Sequence, residues 1–501
     1  MTDQVTPVQK TIYPSLGSTF MFGIFAVVIL TAARGVFLVF NQTDLFFDEA
    51  QYWGWGLNLD FGYFSKPPLL AWSIRGTTEL CGTGEACVRF VSPVFYGLTG
   101  VTAGLLASRV AYRMGGSAGA AFIWTALLFA TIPGVSFATR LVSTDAPLLF
   151  AFALALLFLD RFRENTTALN AAMIGLAIGI GLNAKYAMIY FLICWLFWAL
   201  LSRDGRQTLF HPLVLLTIII AAACITPNIW WNHSNEWITF AHTKDNANWQ
   251  GLQLHFDNMA EFTGAQIGIL GPILFLALLI GLFNPKKRQN SDVLFLLCFA
   301  LPVTLIIVVQ ATLSRAHANW AAVTFIAYTV LAVSWLVTWR AKPLLMITAA
   351  LHITIFIGLG VADIYAKQLV HHKFGASYKR IIGWEDFAGK VSEIAQKTGA
   401  KTIVTGRRKF TAELLYYLRN EDLELRTFAP TGRPHDHYEM TIPLAKSDRT
   451  PVLVISSCPP GNQSDNIEVF DELRVPINTR HAIVAYPYLS QSNAILREDI
   501  C

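Results

Sequence analysis

The sequence predicts an α-helical polytopic membrane protein with about eleven transmembrane helices, followed by a small α/β domain. Of the 501 residues, 54% are hydrophobic and only 14% are charged, whereas soluble domains carry about 25% charged residues. The apolar residues form long blocks that are each able to cross a hydrocarbon core of roughly 30 Å. We expect spans at residues 18–40, 88–111, 118–137, 146–160, 169–183, 186–201, 211–231, 264–284, 291–311, 319–339 and 343–363.

Basic residues indicate how these spans are oriented. Tight basic clusters stand beside helix ends on alternate connections: Arg109 and Arg113, Arg161 and Arg163, Arg203 and Arg206, Lys286 to Arg288, and Arg340 with Lys342. Connections enriched in this way remain in the cytoplasm. The intervening connections, which include residues 41–87, therefore face the other side. An odd number of spans places the C-terminal region on that side as well.

A change of composition near residue 367 predicts two domains. Residues 1–366 form the membrane-embedded domain, whose first periplasmic loop is 41–87, and residues 367–501 form a periplasmic α/β domain. In the second domain, Trp384 to Lys397 and Phe410 to Leu418 read as helices. Lys401 to Val404 and Val452 to Ser456 read as buried strands. The domain has no phosphate-loop or nucleophile-elbow motif.

The cysteines indicate one disulfide. Cys81 and Cys87 flank a short Gly-Thr-Gly-Glu turn in the first loop, and an oxidising periplasm favours a bond between them. No CxxC spacing typical of zinc or redox sites is present. Three further cysteines lie in apolar blocks and are expected to be packing residues.

The first loop carries the most informative residues. Asp48 and Glu49 stand just past the first span, and apolar residues then recur at i, i+3 and i+7 positions: Ala50, Trp53 and Leu57. This spacing predicts an interfacial helix from Glu49 to Leu59, with Asp48 as its N-cap. Capping alone would explain Asp48. A carboxylate at that position can also accept a proton from a hydroxyl group.

A lysine follows the interfacial segment. Lys66 precedes Pro67 and Pro68, which make the turn rigid. A lone lysine here either extends toward the lipid headgroups or supplies a point charge to a bound phosphate. Tyr52 and Tyr63 are hydrogen-bond donors for the same anion.

These motifs together resemble those of a known family. Asp48-Glu49-Ala-x-Tyr-Trp53, followed by Gly62-Tyr-Phe-x-Lys-Pro-Pro-Leu69, is similar to the first loop of GT-C membrane glycosyltransferases. Within them the chain looks like the branch that holds protein O-mannosyltransferases and lipid A aminoarabinose transferases. Further blocks look closest to rhizobial-type lipopolysaccharide galacturonosyltransferases: Ser143 to Pro147, Asn183 to Tyr186, Pro227 to His233 and Ser314 to Trp320. The resemblance covers roughly residues 18–365 and implies a GT-C-like fold.

The resemblance also implies a reaction. Its members use a polyprenyl-phosphate sugar as donor, and the acceptor here would be lipid A or the lipopolysaccharide core in a bacterial inner membrane. Asp48 matches the family's candidate catalytic base, with Glu49 as the next candidate. Tyr52, Tyr63 and Lys66 match residues that line the donor-phosphate site. Because the sugar is attacked on the face opposite the departing phosphate, inversion is expected.

The chain differs from some members of the family at a position that helps to bind a metal. Some lipid A transferases have an acidic residue just before the lysine, and that residue helps bind a divalent metal. This chain has Ser65 there, so no metal ligand is carried over. No other cofactor is implied.

Five further residues are candidates for substrate binding on the same face: Arg140, Asp145, Lys185, Arg315 and His317. Each also has a structural interpretation. Arg140 and Asp145 bracket a helix start, where a surface ion pair contributes little to stability. His317 is equally explained as a hydrogen-bonded structural histidine. Lys185 interrupts two spans, and an ionisable residue in such a break indicates function.

Two alternative functions share parts of this pattern. A protein O-mannosyltransferase would use the same donor chemistry with a protein acceptor. A lipid-sugar transporter or flippase would show internal repeats and charged or broken helices near the bilayer midplane. Here the ionisable residues concentrate at one interface and no repeat is visible. The chain also lacks the basic stripe with interleaved aromatics that would predict nucleic-acid binding.

Overall fold

The protein is predominantly helical and folds as a membrane-embedded bundle with a C-terminal sheet domain. The computed structural model describes residues 15, 17–247, 254–284 and 290–457 and the strand residues 467–469, 473–475 and 483–490. The basic cluster at 286–288 lies outside these residues. The helices of the first 366 positions begin and end as follows: Gly17–Val39, Phe47–Leu57, Leu69–Cys81, Glu85–Arg89, Val91–Arg113, Ala118–Thr131, Pro133–Ala138, Asp145–Glu164, Ala168–Ala184, Ile189–Leu201, Arg203–Leu209, Val214–Ser234, Ile238–Ala247, Phe256–Leu270, Pro272–Leu282, Ser291–Cys298, Leu301–Leu313, Thr324–Thr338 and Lys342–Ile364.

Helical segments occupy every predicted span. Five helical stretches in the described part of the chain are long and apolar enough to cross a membrane: Gly17–Val39, Glu85–Arg113, Val214–Ser234, Ser291–Leu313 and Lys342–Ile364. The pair Phe256–Leu270 and Pro272–Leu282 adds a sixth if it counts as one span, although it bends by 105°. The remaining expected spans are shorter apolar helices or carry charged ends, so the number eleven stays a prediction.

The sharp bend at residue 271 has a local cause. Gly271 adopts a φ of +88°, a conformation that side chains with a Cβ rarely tolerate. Pro272 follows as the first helical residue, where its missing N–H leaves no hydrogen bond unmade. The chain therefore ends one helix and starts another without burying an unpaired donor.

Small residues allow the bundle helices to approach closely. On helix Val91–Arg113, a Cβ added to Gly100 would lie 2.9 Å from the carbonyl oxygen of Ala126, and one added to Gly104 would lie 2.8 Å from that of Phe122. Both contacts are too short for any side chain. Because lipid tails are as apolar as leucine, close packing of this kind is a main source of attraction between membrane helices.

The end of the bundle that carries the basic clusters is held by a network of buried ion pairs. Three arginines and three acids from three helices take part: Arg109, Arg113, Arg163, Asp160, Glu164 and Asp292. The carboxylate of Asp160 is fully buried and lies 2.5 Å from Arg109 and 2.6 Å from Arg113. The arginines that predict the orientation of the spans therefore also hold neighbouring helix ends together.

The C-terminal domain contains helices Trp384–Thr398, Arg408–Tyr417 and His437–Thr441. Its strands are β1 (Thr402–Thr405), β2 (Glu424–Thr427), β3 (Val452–Ser456), β4 (Ile467–Val469), β5 (Leu473–Val475) and β6 (Ile483–Ser490). The strand order is β2-β1-β3-β6-β4, and β5 pairs with β6. Strand β1 is parallel to β2 and β3, whereas β6 runs antiparallel to β3. The two predicted strands and two predicted helices are confirmed to within one or two residues.

This domain packs directly on the first loop. Helix Arg408–Tyr417 lies against helix Phe47–Leu57, where the rings of Tyr416 and Trp53 meet edge to face at 5.0 Å. The Tyr416 hydroxyl donates to the carbonyl oxygen of Thr83 at 2.8 Å. Nearby, the predicted disulfide between Cys81 and Cys87 is present. The first loop and the C-terminal domain therefore lie on the same side of the bundle.

One acidic residue is buried without a partner at this domain interface. Glu413 is fully buried, and neither of its carboxylate oxygens has a hydrogen-bond partner in the described part of the chain. Burial raises the pKa of Glu413 well above its usual value, and the carboxylates of Asp44, Glu49 and Glu85 raise it further. The folded protein therefore holds this side chain as a neutral acid.

We expect Glu413→Gln to stabilise the protein at neutral and alkaline pH. The unfolded chain loses the Glu413 proton near pH 4.5, whereas the folded state keeps it well above that pH. Stability from the bound proton is complete below about pH 4.5 and is lost as pH rises toward the folded-state pKa. Thermal unfolding of both proteins should show a higher midpoint for the variant at about pH 8 and a smaller difference at about pH 5. Exposed Glu421→Gln is the control, and an equal gain at both pH values would contradict this explanation.

Candidate active site

A large cavity opens between the first loop and the bundle, on the side that carries the C-terminal domain. Its volume is about 880 Å³. The polar part of its lining comes from several segments that are separate in sequence, and it includes Asp48, Lys66, Asp145 and Lys185. Charged residues distant in sequence therefore meet around one space large enough for a sugar phosphate.

Part of the cavity lining is apolar. Leu305, Ile306 and Val309 line it from helix Leu301–Leu313, and Ile189 lines it from the start of another helix. All four side chains are exposed. The cavity therefore combines polar and charged groups with an exposed apolar surface.

Asp48 faces this cavity because another residue performs the capping. The helix starts at Phe47 rather than Glu49, and Phe46 is its N-cap residue. The carboxylate of Glu49 accepts the backbone N–H of Phe46 at 2.9 Å, which is the reciprocal half of a capping box. The prediction that Asp48 caps the helix is therefore wrong, and the Asp48 carboxylate is left available to the cavity.

Glu49 is placed away from the cavity. Its carboxylate is buried, pairs with Arg89 at 2.9 Å and accepts the backbone N–H of Val142 at 2.8 Å. All of these contacts hold the first loop against the bundle. The structure thus gives the two adjacent acids different surroundings, and Asp48 alone lines the cavity.

Lys66 is the cavity cation without a counter-ion. Within the described residues no carboxylate lies within ion-pair distance of it, and its turn is closed by a hydrogen bond from Tyr63 N–H to the Lys66 carbonyl at 3.1 Å. Desolvation lowers the pKa of the Lys66 ammonium to about 8, and the charge of Lys185 lowers it further. An anion entering the cavity would restore the lost solvation.

The second lysine is already neutralised. Lys185 pairs with Asp145 at 2.6 Å, and the other oxygen of that carboxylate accepts the amide N–H of Asn319 at 2.6 Å. Asp145 and Lys185 both line the cavity, as predicted from the sequence. This ion pair fixes the two side chains in the cavity lining and carries no net charge. Lys66 is therefore the lysine whose charge can attract an anion.

Histidines complete the polar lining. His317 lines the cavity and remains exposed, with its pKa lowered by desolvation and by Arg315. His242, which the sequence analysis did not single out, lines it beside Lys66, and burial together with that charge lowers its pKa to about 4. His242 is therefore a neutral hydrogen-bonding group. Its sequence signal was weak because it lies in an irregular Trp/Asn/His-rich stretch.

The remaining predicted residues divide between the cavity and the scaffold. Tyr52 lines the cavity, whereas Tyr63 stacks on Trp55 at 4.7 Å and donates its hydroxyl to the Trp55 carbonyl oxygen at 2.9 Å. Arg140 lies in a separate cavity of about 220 Å³, paired with Asp363. Arg315 is exposed and outside the cavity lining.

A residue that sequence analysis missed comes from the C-terminal domain. Arg408 forms an ion pair with Asp48 at 3.0 Å and donates a hydrogen bond to the Gln51 side chain at 3.3 Å. The two chain segments are far apart in sequence, and no motif links them. Only the docking of the sheet domain reveals this contact.

The cavity does not present a metal-binding set of ligands. Ser65 lines it at the position where some relatives have an acid, and one of the two nearby carboxylates, Asp145, is already paired with Lys185. Within the described residues, no group of three or more His, Cys, Asp or Glu side chains is placed to hold an ion. The residues here do not fit a metal, so no step is derived through one.

Comparisons with known proteins identify relatives of this chain. Residues 65–231 match the dolichyl-phosphate-mannose-protein mannosyltransferase family. Lipid A galacturonosyltransferase RgtD of Rhizobium johnstonii is 33% identical over 424 residues, which cover 84% of this chain and 88% of that protein.

Two solved structures share the fold. ArnT from Cupriavidus metallidurans in the apo state superposes with a TM-score of 0.66 at 15% identity, covering 95% of this chain and 98% of ArnT. The same enzyme bound to undecaprenyl phosphate gives a TM-score of 0.61 at 16% identity, covering 92% and 97% of the two chains. The likeness extends over both the helical bundle and the C-terminal domain.

Proposed function

This chain belongs to the GT-C membrane glycosyltransferases that include the dolichyl-phosphate-mannose-protein mannosyltransferases and lipid A galacturonosyltransferase RgtD, and from that premise we propose its substrates. The donor is a polyprenyl-phosphate sugar, and the acceptor is lipid A or the lipopolysaccharide core. The similarity to RgtD favours a uronic acid as the sugar and lipid A as the acceptor.

The observation that carries this proposal is the combination of Lys66 with an apolar wall. Lys66, which has no ion-pair partner among the described residues, offers a positive charge to the cavity. Leu305 and Val309 offer an exposed apolar surface in the same cavity. A ligand with a phosphate at one end and a long hydrocarbon chain at the other satisfies both. A water-soluble sugar nucleotide would leave the apolar wall without a partner.

The reaction follows from the positions of Asp48 and Lys66. Asp48 accepts the proton of the acceptor hydroxyl as its oxygen forms a bond to the anomeric carbon. The bond between the anomeric carbon and the phosphate oxygen breaks, and the electron pair leaves with the phosphate. Lys66 and the Tyr52 hydroxyl stabilise the charge that accumulates on that phosphate. Attack and departure occur on opposite faces, so the sugar configuration inverts.

The proposed reaction can be tested in cells. Deleting the gene should remove one sugar from lipid A, and the wild-type gene should restore it, as seen by mass spectrometry of lipid A, core oligosaccharide and envelope proteins. Asp48→Asn should fail to restore the sugar, because general-base loss typically costs about 10²–10⁴-fold in rate. The variant must be shown to reach the membrane at normal amount.

Glu49→Gln separates catalysis from folding in this test. Removing one partner of a buried ion pair costs about 3–5 kcal/mol, so this variant should lower the amount of folded protein rather than its specific activity. Loss of a sugar from envelope proteins instead of lipid A would favour the O-mannosyltransferase alternative. Full restoration by a normally abundant Asp48→Asn protein would remove Asp48 from the mechanism.

The charge of Lys66 gives a further prediction. Affinity for undecaprenyl phosphate, used as a probe, should fall as pH rises through about 8, because the Lys66 ammonium loses its proton there. In Lys66→Arg the guanidinium remains charged at every practical pH, so the pH dependence of binding should flatten. Unchanged wild-type affinity from about pH 7 to about pH 9.5 would show that Lys66 does not hold the phosphate.

The last proposal concerns orientation in a bacterial inner membrane. We infer that the cavity and the C-terminal domain face the periplasm, since the basic clusters gather at the opposite end of the bundle. The Cys81–Cys87 disulfide also suits an oxidising compartment,.

Labelling of spheroplasts with an impermeant thiol reagent tests this orientation in a variant without other free thiols. Leu59→Cys and Glu421→Cys, both at exposed positions, should react from outside. Arg203→Cys, at an exposed position within a basic cluster, should react only after the cells are opened. Reaction of Arg203→Cys from outside would reverse the proposed topology.

A further inference from the structure

We propose that Arg408 is a positioning residue that the C-terminal domain supplies to the active site. Its guanidinium holds the Asp48 carboxylate in the orientation needed for proton transfer, so the site is complete only when that domain is docked. The inference rests on the proposed function, because it assumes that Asp48 is the base. If Arg408 acts in this way, the C-terminal domain has a role in catalysis.

The geometry of Arg408 is that of a clamp on one helical turn. One terminal nitrogen lies 3.0 Å from Oδ1 of Asp48, and the other donates to Oε1 of Gln51 at 3.3 Å. The guanidinium carbon lies 4.9 Å from the ring centroid of Phe47, within the range of cation–π attraction. Three contacts to the same turn fix both the position and the plane of the guanidinium.

Asp48 has little else to hold it. It does not cap the helix, and about a third of its side chain is exposed. Among the residues that the structure describes, Arg408 is its ion-pair partner and Oδ2 accepts no hydrogen bond. One carboxylate oxygen is therefore fixed while the second stays free to receive a proton. Without the clamp, the short Asp48 side chain would populate several rotamers.

The clamp itself is rigid because its helix is anchored by buried contacts. Ala412 and Tyr416 of helix Arg408–Tyr417 are buried in the cluster that contains Trp53. The Tyr417 hydroxyl accepts the backbone N–H of Leu45 at 2.8 Å. On the other side of the helix, Phe410 is buried in the core of the C-terminal domain. The position of Arg408 is thus set by the docked domain rather than by its own flexible side chain.

A partly exposed ion pair of this kind contributes little to stability, about 0–1 kcal/mol. A stability function therefore does not account for the three convergent contacts. Positioning does, since displacement of a reacting group by about 1 Å costs up to about 100-fold in rate. The rival role, direct binding of an anionic substrate by Arg408, is the alternative outcome of the test.

The test is single-turnover sugar transfer by purified full-length protein, with donor-lipid affinity measured separately. Arg408→Met should slow the single-turnover rate constant at saturating substrates by about 10- to 100-fold. Donor affinity should change by less than about twofold, because the donor phosphate is held by Lys66. Arg408→Lys keeps the charge without the planar contacts and should recover part of the rate. Arg407→Met, which removes an exposed charge one residue earlier, should have no effect.

A double-mutant cycle separates positioning from substrate binding. If Arg408 acts through Asp48, Arg408→Met should slow turnover in the wild-type background and have little further effect in Asp48→Asn. An equal fold loss in both backgrounds, or a loss confined to acceptor KM, would overturn the proposal in favour of direct substrate binding. A normal rate in Arg408→Met would overturn it as well. Normal turnover by Asp48→Asn alone would instead refute the base assignment, which distinguishes failure of the proposed function from failure of this inference.

Discussion

The buried ion pair between Glu49 and Arg89 is the interaction on which the site depends. Glu49 accepts hydrogen bonds from Arg89, from Phe46 N–H and from Val142 N–H. The same guanidinium also donates to the backbone carbonyl of Asp44 at 2.6 Å. Burying two charges is costly unless every hydrogen-bonding group is satisfied, and here each charge has several partners. The pair thereby fixes the loop, the helix start and the adjacent bundle segment relative to one another.

That constraint determines what Asp48 does. Successive residues on a helix point about 100° apart, so a Glu49 side chain locked toward the bundle interior turns its neighbour toward the cavity. The acid with all its hydrogen bonds satisfied is structural, and the acid with a free oxygen is available for proton transfer. Two adjacent carboxylates thus acquire different roles from their surroundings alone.

The sequence predicted the parts of this arrangement that depend on local pattern. Long apolar blocks located the helical segments, and the first-loop motif brought Asp48, Tyr52 and Lys66 to one cavity. The sequence did not predict where helix Phe47–Leu57 begins. The spacing of the residues does not distinguish an N-cap at Asp48 from a capping box closed by the Glu49 side chain. The sequence also did not show that Tyr63 would stack on Trp55 instead of lining the cavity. Each of these outcomes depends on competition between neighbouring side chains for the same backbone groups.

Long-range contacts were beyond sequence reasoning for a different reason. Arg89 and Arg408 stand in stretches without a recognisable motif, and each becomes meaningful only through a partner on another segment. Arg140 looked like a site residue, yet Asp363 from the last bundle helix neutralises it. A charged residue alone therefore says little until its counter-ion is known.

Among the described residues, ion pairs neutralise charges both at the end of the bundle with the basic clusters and around the cavity. At the end of the bundle with the basic clusters, three arginines meet three acids, and near the cavity Asp145 neutralises Lys185. Among the residues that the structure describes, Lys66 has no such partner, and the desolvation of its ammonium lowers its pKa. Proteins retain unfavourable features of this kind mainly where function requires them. A partly buried cation beside exposed apolar side chains is unfavourable in the free protein, and the proposed lipid-phosphate donor would stabilise both.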